Sequence, residues 1–592
     1  MSNSRRKGVK STTESTTLKG LAYTNPSLIP FVIGVTGHRD LRPDDVPALE
    51  TAVRKVFDGL RRRMKSTPLM LLSALAEGAD QLAARVALSC GVQLGAVLPM
   101  PAPIYRSTLE GPAQQPFDAL LARASVVIDL PLGDATEEQL AISADGRADR
   151  YEALAVFLAT HCHALIALWD GVPSEKKGGT AQVVRYMLEG PPGIAEEEPL
   201  AGPVYHIQTA RLSNAAAPAG GAPEARLRTS LDDPDDVAAI TDFEVMMRRL
   251  DTFNRDVAAS VEPACPECDC LLPGHEDGSA VPAYCGRVAQ CYRAADQVSL
   301  RFNELTKTTL KALLLFALLA LAGFEIYAHV LPYNVALWLV YPVSLLIGWF
   351  VYRFARRREV ENRYLDYRAL AEALRVQFFW SLAGIPRSVS DDYLQHHRTE
   401  LDWIRSALRA VSIFQAAECN HRPGDATGIQ LALKHWVEHQ ARWYAGKSVK
   451  QAVTLKRLDR WSGILLFAVW LVSMLIPLSL LVPWPWLAGW RLLASHEPYR
   501  GLLLLLVPLP SLAIGLFRVW VEQAGYAEQA RNYNRMAHVF RRAAKRVAGD
   551  LDAGKLDEAR ETLSRLGIEA LEENGDWLLL HRERPLKPPG KA

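Results

Sequence analysis

Apolar residues are concentrated in four runs in the second half of the chain. The runs cover residues 312–331, 335–352, 462–483 and 501–517. Each approaches the roughly 20 apolar residues that a helix needs to cross the hydrocarbon core of a bilayer. The pattern predicts four transmembrane helices in two hairpins. The alternative is a set of buried helices in a large soluble domain.

Basic residues flank the predicted hairpins at their open ends. Lys and Arg gather on the cytoplasmic side of membranes, and the link 332–334 between the first two runs carries neither. The link between the last two runs holds Arg491 and Arg500 among tryptophans that suit a membrane interface. We therefore expect both termini and the middle segment in the cytoplasm. The flanking basic residues are Lys307, Lys311, Arg353, Arg356, Arg357, Arg358, Lys456, Arg457, Arg460 and Arg518.

Residues 30–210 alternate short apolar runs with segments of helical periodicity. This alternation is typical of a parallel sheet with helices on both faces. The predicted fold is therefore an α/β Rossmann-like domain followed by an α-helical membrane domain. The predicted strands are 31–35, 69–72, 93–98, 125–130, 164–169 and 204–207.

Composition shifts along the chain predict its division into segments. Residues 190–236 are rich in Pro, Ala, Gly and acids, which is typical of a flexible excursion. The first 28 residues are polar and basic, and this predicts a disordered leader rather than a cleavable signal peptide. The predicted segments are the leader 1–28, a nucleotide-binding domain 29–212, a linker and helical insertion 213–285, a first membrane unit 286–380, a cytoplasmic connector 381–430, a second membrane unit 431–550 and a tail 551–592.

Glycine and polar residues follow three predicted strands, at the sheet edge where α/β proteins bind ligands. Glycine at a helix start exposes backbone N–H groups, and the helix dipole favours an anion there. The pattern predicts a ligand with more than one phosphate, whereas the alternative is that each glycine only allows a tight turn. A P-loop, a G-x-G-x-x-G fingerprint after the first strand and a G-x-S-x-G elbow are all missing. The residues concerned are Gly37, His38, Arg39, Gly78, Asp80, Gly178, Gly179 and Thr180.

Four short motifs lie at these positions: GVTGHRDL at 34–41, SALAEGAD at 73–80, ALWDG at 167–171 and GGTA at 178–181. Together they resemble the SLOG superfamily, a Rossmann-like group that includes the cytokinin-activating LOG enzymes and the nucleotide sensors of bacterial defence systems. Tyr151 and Glu152 fit the same pattern. The resemblance implies binding of a nucleotide-derived messenger by Thr36, Gly37, His38, Arg39, Ser73, Glu77, Gly78, Asp80, Asp170, Gly178, Gly179 and Thr180.

The chain departs from the LOG enzymes at one position. Their motif is P-G-G-x-G-T-x-x-E, and its glutamate helps to cleave the base from the sugar. Here Val183 stands three residues after Thr180, and no proline precedes Gly178. The departure favours binding without turnover, so no catalytic residue and no firm cofactor are assigned.

The stretches that follow the two predicted hairpins share a pattern. In the first it reads Tyr367, Arg368, Ala371, Glu372, Leu374 and Arg375; in the second it reads Tyr533, Asn534, Ala537, His538, Phe540 and Arg541. The second unit therefore reads as a diverged copy of the first, and the alternative is a chance likeness of two amphipathic helices. The membrane half resembles the SLATT group, two-helix membrane effectors encoded beside SLOG sensors and nucleotide synthases.

Charge and cysteines narrow the possible partners. The chain has 592 residues, with 67 Lys and Arg against 65 Asp and Glu, and this balance argues against nucleic-acid binding. Among the eight cysteines, Cys265, Cys268 and Cys270, with Cys285, form an incomplete zinc pattern. The alternative is that these thiols bind no metal.

The combined resemblance implies a sensor–effector in the bacterial inner membrane, with its soluble domain and both termini in the cytoplasm. A nucleotide second messenger would bind the SLOG-like domain, and a homo-oligomer would then permeabilise the lipid bilayer in antiphage defence by abortive infection. A nucleotide synthase encoded nearby would act through its product. The alternatives are a membrane-anchored nucleotide-processing enzyme of phosphoribohydrolase type and a nucleotide-gated ion channel.

Overall fold

The computed structural model describes most of the chain in two compact units, one of residues 1–251 with 409–420 and one of residues 252–408 with 421–592. Part of the chain, including most of the expected leader, is not described. The described residues are 25–133, 136–192, 202–213, 223–231, 236–260, 271–272, 281–391, 393, 398–418, 426–481, 505–523 and 526–582.

The described part of the first unit is built on one sheet in the order β4-β3-β2-β1-β5-β6-β7. All neighbouring strands are parallel except β6 and β7. The strands are β1 Phe31–Gly37, β2 Leu69–Ser73, β3 Gln93–Leu98, β4 Val126–Asp129, β5 Ala164–Trp169, β6 Val204–Gln208 and β7 Ala225–Arg228. The predicted α/β Rossmann-like class is confirmed for this part of the chain.

Helices join the strands. They are α1 Val46–Arg63, α2 Ala79–Ser89, α3 Ala102–Ser107, α4 Gly111–Leu121, α5 Glu137–Ile142, α6 Ala144–His161, α7 Thr180–Glu189 and α8 Val237–Ala258. β2 and β5 are buried along their whole length, which explains their uninterrupted apolar sequences. The sequence pattern does not predict β7, because its residues ARLR are charged and partly exposed and it pairs through its backbone at the sheet edge.

The sheet changes direction of winding at β1, which lies between β2 and β5. The next strands along the chain continue through β2 to one edge, and β5 starts the growth toward the other edge. Such a switch point leaves a crevice beyond the carboxyl ends of the two central strands. Gly37 is paired with Leu168 at this end of the sheet, so the residues that follow β1 and β5 begin side by side.

The second unit is helical. Its helices are α9 Ala283–His329, α10 Val335–Arg357, α11 Val360–Leu382, α12 Arg398–Glu418 (which ends within the first unit), α13 Ala426–Ala432, α14 Glu438–Leu481, α15 Pro508–Gln523, α16 Tyr526–Asp552 and α17 Leu556–Arg582. A π-helical turn, Leu433–Val437, lies between α13 and α14.

Three of the described helical segments are long and apolar enough to cross a membrane: Tyr284–His329, Val335–Leu382 and Ala426–Leu475. They indicate a membrane protein. The expectation of four such helices is not met in the described residues, because the apolar part of α15 is the shorter Pro508–Val519. Residues 501–504 of the predicted run lie outside the described residues, and α15 begins at Pro508, a residue that fits best at the start of a helix.

The two predicted copies share a helix arrangement. In the first, α10 and α11 both pack on the long helix α9; in the second, α15 and α16 both pack on the long helix α14. The aligned residues Tyr367 and Tyr533 occupy aromatic clusters in their copies, beside Phe302 and beside Trp443 respectively. This arrangement supports the internal repeat.

Helix α17 closes the second unit by packing on α11. The buried ring of Trp380 lies against Gly567 and donates its Nε1–H to the Leu563 carbonyl oxygen at 3.3 Å. A side chain at Gly567 would overlap the indole, so this helix pair depends on glycine at that position.

Candidate functional site

His38 joins the ends of the two central strands. Its backbone N–H donates to the Leu168 carbonyl oxygen at 3.1 Å, and its Nε2 accepts the backbone N–H of Asp170 at 3.0 Å. Burial lowers the pKa of His38, although Asp170 acts in the opposite direction. An Nε2 that accepts a hydrogen bond is unprotonated, so His38 stabilises the strand ends as a neutral ring and supplies no positive charge to a ligand.

Arg39 is the cation at the mouth of the crevice. Its Nη1 donates to Glu77 Oε1 at 3.2 Å, and its guanidinium lies over the Tyr151 ring, 5.6 Å from the centroid. Burial opposes the charge, but two neighbouring tyrosines and Glu77 raise the pKa of Arg39, so it stays a cation. Because 42% of the side chain is exposed, the guanidinium remains accessible to a ligand.

Asp80 is a buried carboxyl group in the first turn of α2, close behind Arg39. Burial raises its pKa to about 7, even though Arg39 and hydrogen bonds lower it. Ser73 Oγ is 3.4 Å from Asp80 Oδ2 and accepts the Leu75 N–H at 3.0 Å. Ser73 and Asp80 are therefore brought together, as the motif suggested, in the interior below Arg39.

Gly78 allows the backbone of α2 to contact the end of β1. It has a φ of 77°, and a side chain there would overlap the carbonyl oxygens of His38 and Arg39. The N–H of Ala79 donates to the His38 carbonyl oxygen at 3.0 Å. Gly37 faces α2 equally closely, since a Cβ on it would overlap the Ala79 side chain. Close packing therefore explains both glycines. The Ala79 N–H at the start of α2 is bonded to the His38 carbonyl oxygen and is not available to a ligand.

The third glycine segment lies against the backbone and Cβ of Tyr151. Gly178 has a φ of 70°, and a Cβ on it would overlap the Cβ of Tyr151. Its N–H donates to Gln182 Oε1 at 2.5 Å, which turns the loop back on α7. Gly179 is the N-cap of α7 and contributes no side-chain cap, and Thr180 is the first helical residue. The first turn of α7 therefore has a positive helix end without a capping side chain, although the Gly179 N–H already donates to the Lys176 carbonyl oxygen at 3.0 Å.

A polar cluster that the sequence motifs did not predict fixes this loop. Glu152 accepts hydrogen bonds from Gln182 Nε2 at 3.0 Å and from Tyr186 Oη at 2.8 Å, and it pairs with Lys177 at 2.9 Å. The hydrogen bond from Lys177 lowers the pKa of Glu152, so the carboxylate is ionised near neutrality. Of these residues, the sequence pattern includes only Glu152. Gln182 and Tyr186 are four residues apart on α7, and this spacing places them on one helix face.

The structure thus gathers part of the predicted set around Tyr151. Arg39 lies over its ring and Gly178 against its Cβ, while Glu77 is held by Arg39 and by the Glu110 N–H at 2.9 Å. Tyr105, a buried residue missed by the motifs, has its ring 6.4 Å from that of Tyr151. Thr36 is a buried β1 residue, and Asp170 accepts the Val172 N–H in the loop after β5. Val183 is buried in α7 and presents no polar group.

The expected zinc pattern is only partly within the described residues. Cys265, Cys268 and Cys270 lie outside them, and Cys285 is buried on α9. Among the residues that the structure describes, no three His, Cys, Asp or Glu side chains group as metal ligands would.

Comparison with known proteins adds no relative: no family model matches the chain, and no curated protein sequence matches it. The functional interpretation therefore depends on the residues and the geometry of this chain. The strongest geometric feature is the placement of Arg39, two residues beyond the end of β1, over the Tyr151 ring.

Proposed function

We propose that this protein is a membrane-bound sensor–effector of the SLOG and SLATT kind, whose α/β domain binds a nucleotide-derived second messenger. The observation that carries the proposal is the placement of half-exposed Arg39 over the Tyr151 ring, next to the uncapped start of α7 at Gly179 and Thr180. Phosphate oxygens accept bidentate hydrogen bonds from arginine and bind at helix N-termini. An aromatic ring offers a surface on which a base stacks.

In this proposal some of these groups bind phosphate and others hold them in position. Arg39, over the Tyr151 ring, and the first turn of α7, whose loop contacts Tyr151, supply the positive charge for phosphates. Glu77 holds the guanidinium in place, with Nη1 to Oε1 at 3.2 Å. Glu152 and Gln182 hold the Gly178 loop at the start of α7. His38 and Asp80 stabilise the backbone below and do not contact the ligand in this proposal.

Binding without turnover is the form of the proposal that the residues support. Val183 occupies the position of the LOG glutamate and is buried. An apolar side chain offers no general acid or base for cleavage of an N-glycosidic bond. The appearance of a cleaved base when the full chain is incubated with nucleotides would favour the nucleotide-processing enzyme instead.

The effector half uses the apolar helices. Three segments are long and apolar enough to span a membrane. In the proposal they lie in a bacterial inner membrane with both termini in the cytoplasm, and ligand binding changes how the helices of a homo-oligomer pack, so that the bilayer becomes permeable. A ligand shifts this equilibrium only by its difference in affinity for the two states. The cellular role is antiphage defence by abortive infection, with the messenger made by a nearby nucleotide synthase.

The test measures binding and leakage with the full chain. Protein in detergent is titrated with a panel of cyclic dinucleotides, cyclic oligonucleotides and ADP-ribose derivatives. The protein is then placed in dye-loaded vesicles with the nucleotide that binds. Arg39→Ala should abolish both binding and leakage. Arg123→Ala, which removes an exposed arginine elsewhere in the same unit, is the matched control and should change neither.

The outcomes separate the alternatives. Binding and leakage that survive Arg39→Ala would contradict the assigned site. Ion-selective single-channel currents without dye release would replace membrane permeabilisation by a nucleotide-gated channel. Absence of binding to the whole panel, with intact folded protein, would remove the sensor from the proposal.

A further inference from the structure

The second helical copy carries an open basic cleft between α14 and α16. Its volume is about 790 Å³, which is within the range of small-molecule sites. The charged and polar residues that line it are Glu438 and Arg442 from α14 and His538, Arg541, Arg542 and Lys545 from α16. Alanines at 441, 445 and 544 make up the rest of the lining, so small side chains leave the space between the two helices.

Charge in this cleft is not balanced. Four residues that are cations at neutral pH stand against the single carboxylate of Glu438. Arg442 donates its Nε–H to the backbone carbonyl oxygen of Glu438 at 3.3 Å rather than to a carboxylate. In the part of the chain that the structure describes, no carboxylate pairs with Arg541, Arg542 or Lys545. Four like charges around one cavity repel one another unless an anion is bound.

In the first copy, the arginines on the corresponding face of α11 are paired with carboxylates. There Arg368 pairs with Asp296 at 2.9 Å and also with Glu372, and Arg375 pairs with Glu372 at 2.7 Å. Arg375 also donates to Tyr292 Oη at 2.6 Å. Although burial opposes it, the two arginines lower the pKa of Glu372. Two cations and two carboxylates make this network neutral.

The sequence repeat locates the change between the copies. Glu372 is replaced by His538, and Arg368 by Asn534, while Arg375 is retained as Arg541. The second copy has therefore kept the arginine and lost its carboxylate partner. Arg542 and Lys545 add further cations on the same helix.

The cleft is also held rigidly from below. The buried Trp436 lies in the π-helical turn just before α14, and it stacks on Phe379 and contacts Phe540 edge-on, with centroids 5.5 and 6.0 Å apart. π-Helical turns occur often at functional sites. These aromatic contacts pack the start of α14 against α11 and α16 next to the cleft, and a packed scaffold favours a preformed binding site.

The position of the cleft along α14 decides between a lipid headgroup and a soluble anion. Twenty residues separate Arg442 from Ser462, where the apolar run starts, which is about 30 Å of helix. Even at the largest tilt usual for membrane helices the cleft stays more than about 20 Å from the apolar segment. The headgroup layer and the Debye length at physiological salt are both only about 8 Å. The surface of the bilayer that holds α14 is therefore out of reach.

We infer that the cleft between α14 and α16 is a second anion site, which binds a small soluble molecule carrying two or more phosphates. Arg442, Arg541 and Arg542 supply bidentate hydrogen bonds, and Lys545 adds a point charge. The site belongs to the helical unit and is separate from the crevice around Arg39. Its ligand would act on the helices that carry the apolar segments.

Tripolyphosphate binding to the full chain in detergent tests this inference, by calorimetry at about physiological salt. All variants carry Arg39→Ala, so that the proposed nucleotide site does not contribute. Replacing both arginines of α16, Arg541→Gln with Arg542→Gln, should weaken binding roughly tenfold or more. His538→Glu, which restores the acid of the first copy beside Arg541, should weaken it similarly. The matched control Arg565→Gln removes an exposed arginine of α17 and should leave the affinity unchanged.

A parallel arm uses phosphatidylcholine vesicles with and without phosphatidylglycerol. Saturable tripolyphosphate binding that the cleft variants weaken and the control does not supports the inference. Three results would overturn it: no tripolyphosphate binding at about 1 mM, equal loss in the cleft variants and the control, or cleft-dependent binding only to the anionic vesicles. Since Arg39→Ala is present throughout, failure here leaves the proposed nucleotide site untouched.

Discussion

Asp80 makes the stability of the α/β domain depend on pH in a direction that can be worked out. An aspartate in an unfolded chain has a pKa of about 3.9, and burial raises the pKa of Asp80 to about 7 in the fold. The folded state therefore holds a proton that the unfolded state has already lost, and stability falls as the pH rises from about 4 to about 7. A shift of roughly three units corresponds to about 4 kcal/mol in total, at about 1.4 kcal/mol per unit.

Between pH 5 and pH 8 the same linkage gives a loss of about 3 kcal/mol, because part of the effect lies below pH 5. Hydrogen–deuterium exchange of the α2 peptide in the full chain reads this loss as a lower free energy of local opening, after correction for the intrinsic pH dependence of exchange. Asp80→Asn cannot ionise and should remove the pH dependence. Asp118→Asn changes a half-exposed carboxyl group on α4 and should retain it.

One result would refute this reasoning. If wild type and Asp80→Asn lose the same opening free energy between pH 5 and pH 8, then Asp80 is ionised throughout. Arg39 and the hydrogen bonds from the backbone would then outweigh the cost of burying its charge.

Three further predictions concern packing and protonation. Gly78→Ala should destabilise the α/β domain by about 3 kcal/mol, since it combines a positive φ with overlap against backbone oxygens; thermal unfolding measures the loss. Gly59→Ala, on an open helix face, is the control and should be neutral or stabilising. His38, whose pKa burial lowers, should make stability fall as the pH drops below about 6.5, and unfolding of His38→Gln between pH 5 and pH 7 should lack this dependence. Gly567→Ala should expose α17 to proteolysis by displacing it from the Trp380 ring, whereas Gly59→Ala should not.

Strands with strong local signals were predictable almost to the residue. The predicted runs 93–98 and 164–169 coincide with β3 Gln93–Leu98 and β5 Ala164–Trp169. Both are apolar runs that pair on two sides in the sheet interior, so burial alone selects their composition. β7 was not predictable, because an edge strand gains its stability from backbone pairing and leaves no apolar signature.

The site was predictable only in part, because the sequence does not show where a backbone N–H will donate. Glycines before α2 and α7 give the same pattern, and neither helix has a side-chain cap, yet the Ala79 N–H donates to the His38 carbonyl oxygen at the end of β1 while the Gly179 N–H donates to the Lys176 carbonyl oxygen within its own loop. A histidine can be a cation or a hydrogen-bond acceptor, and only the contact with the Asp170 N–H shows that His38 Nε2 is an acceptor. Tyr105 required the tertiary contact as well, since it lies on the short helix α3 between β3 and β4, outside all four motifs.

The two helical copies share an arrangement of helices but differ in a few charged residues. In the first, Glu372 lies between Arg368 and Arg375 and is mostly buried, so removing it would leave two arginines without that carboxylate, a change that typically costs about 3–5 kcal/mol. In the second, the aligned position is an exposed histidine, and the retained Arg541 is exposed at the cleft, where no carboxylate of the described residues pairs with it. The first copy therefore needs Glu372 to neutralise two arginines. In the second copy, an anionic ligand would take the place of that carboxylate. This difference in charge is the one expected if the first copy holds its helices together and the second copy binds an anion, as proposed above.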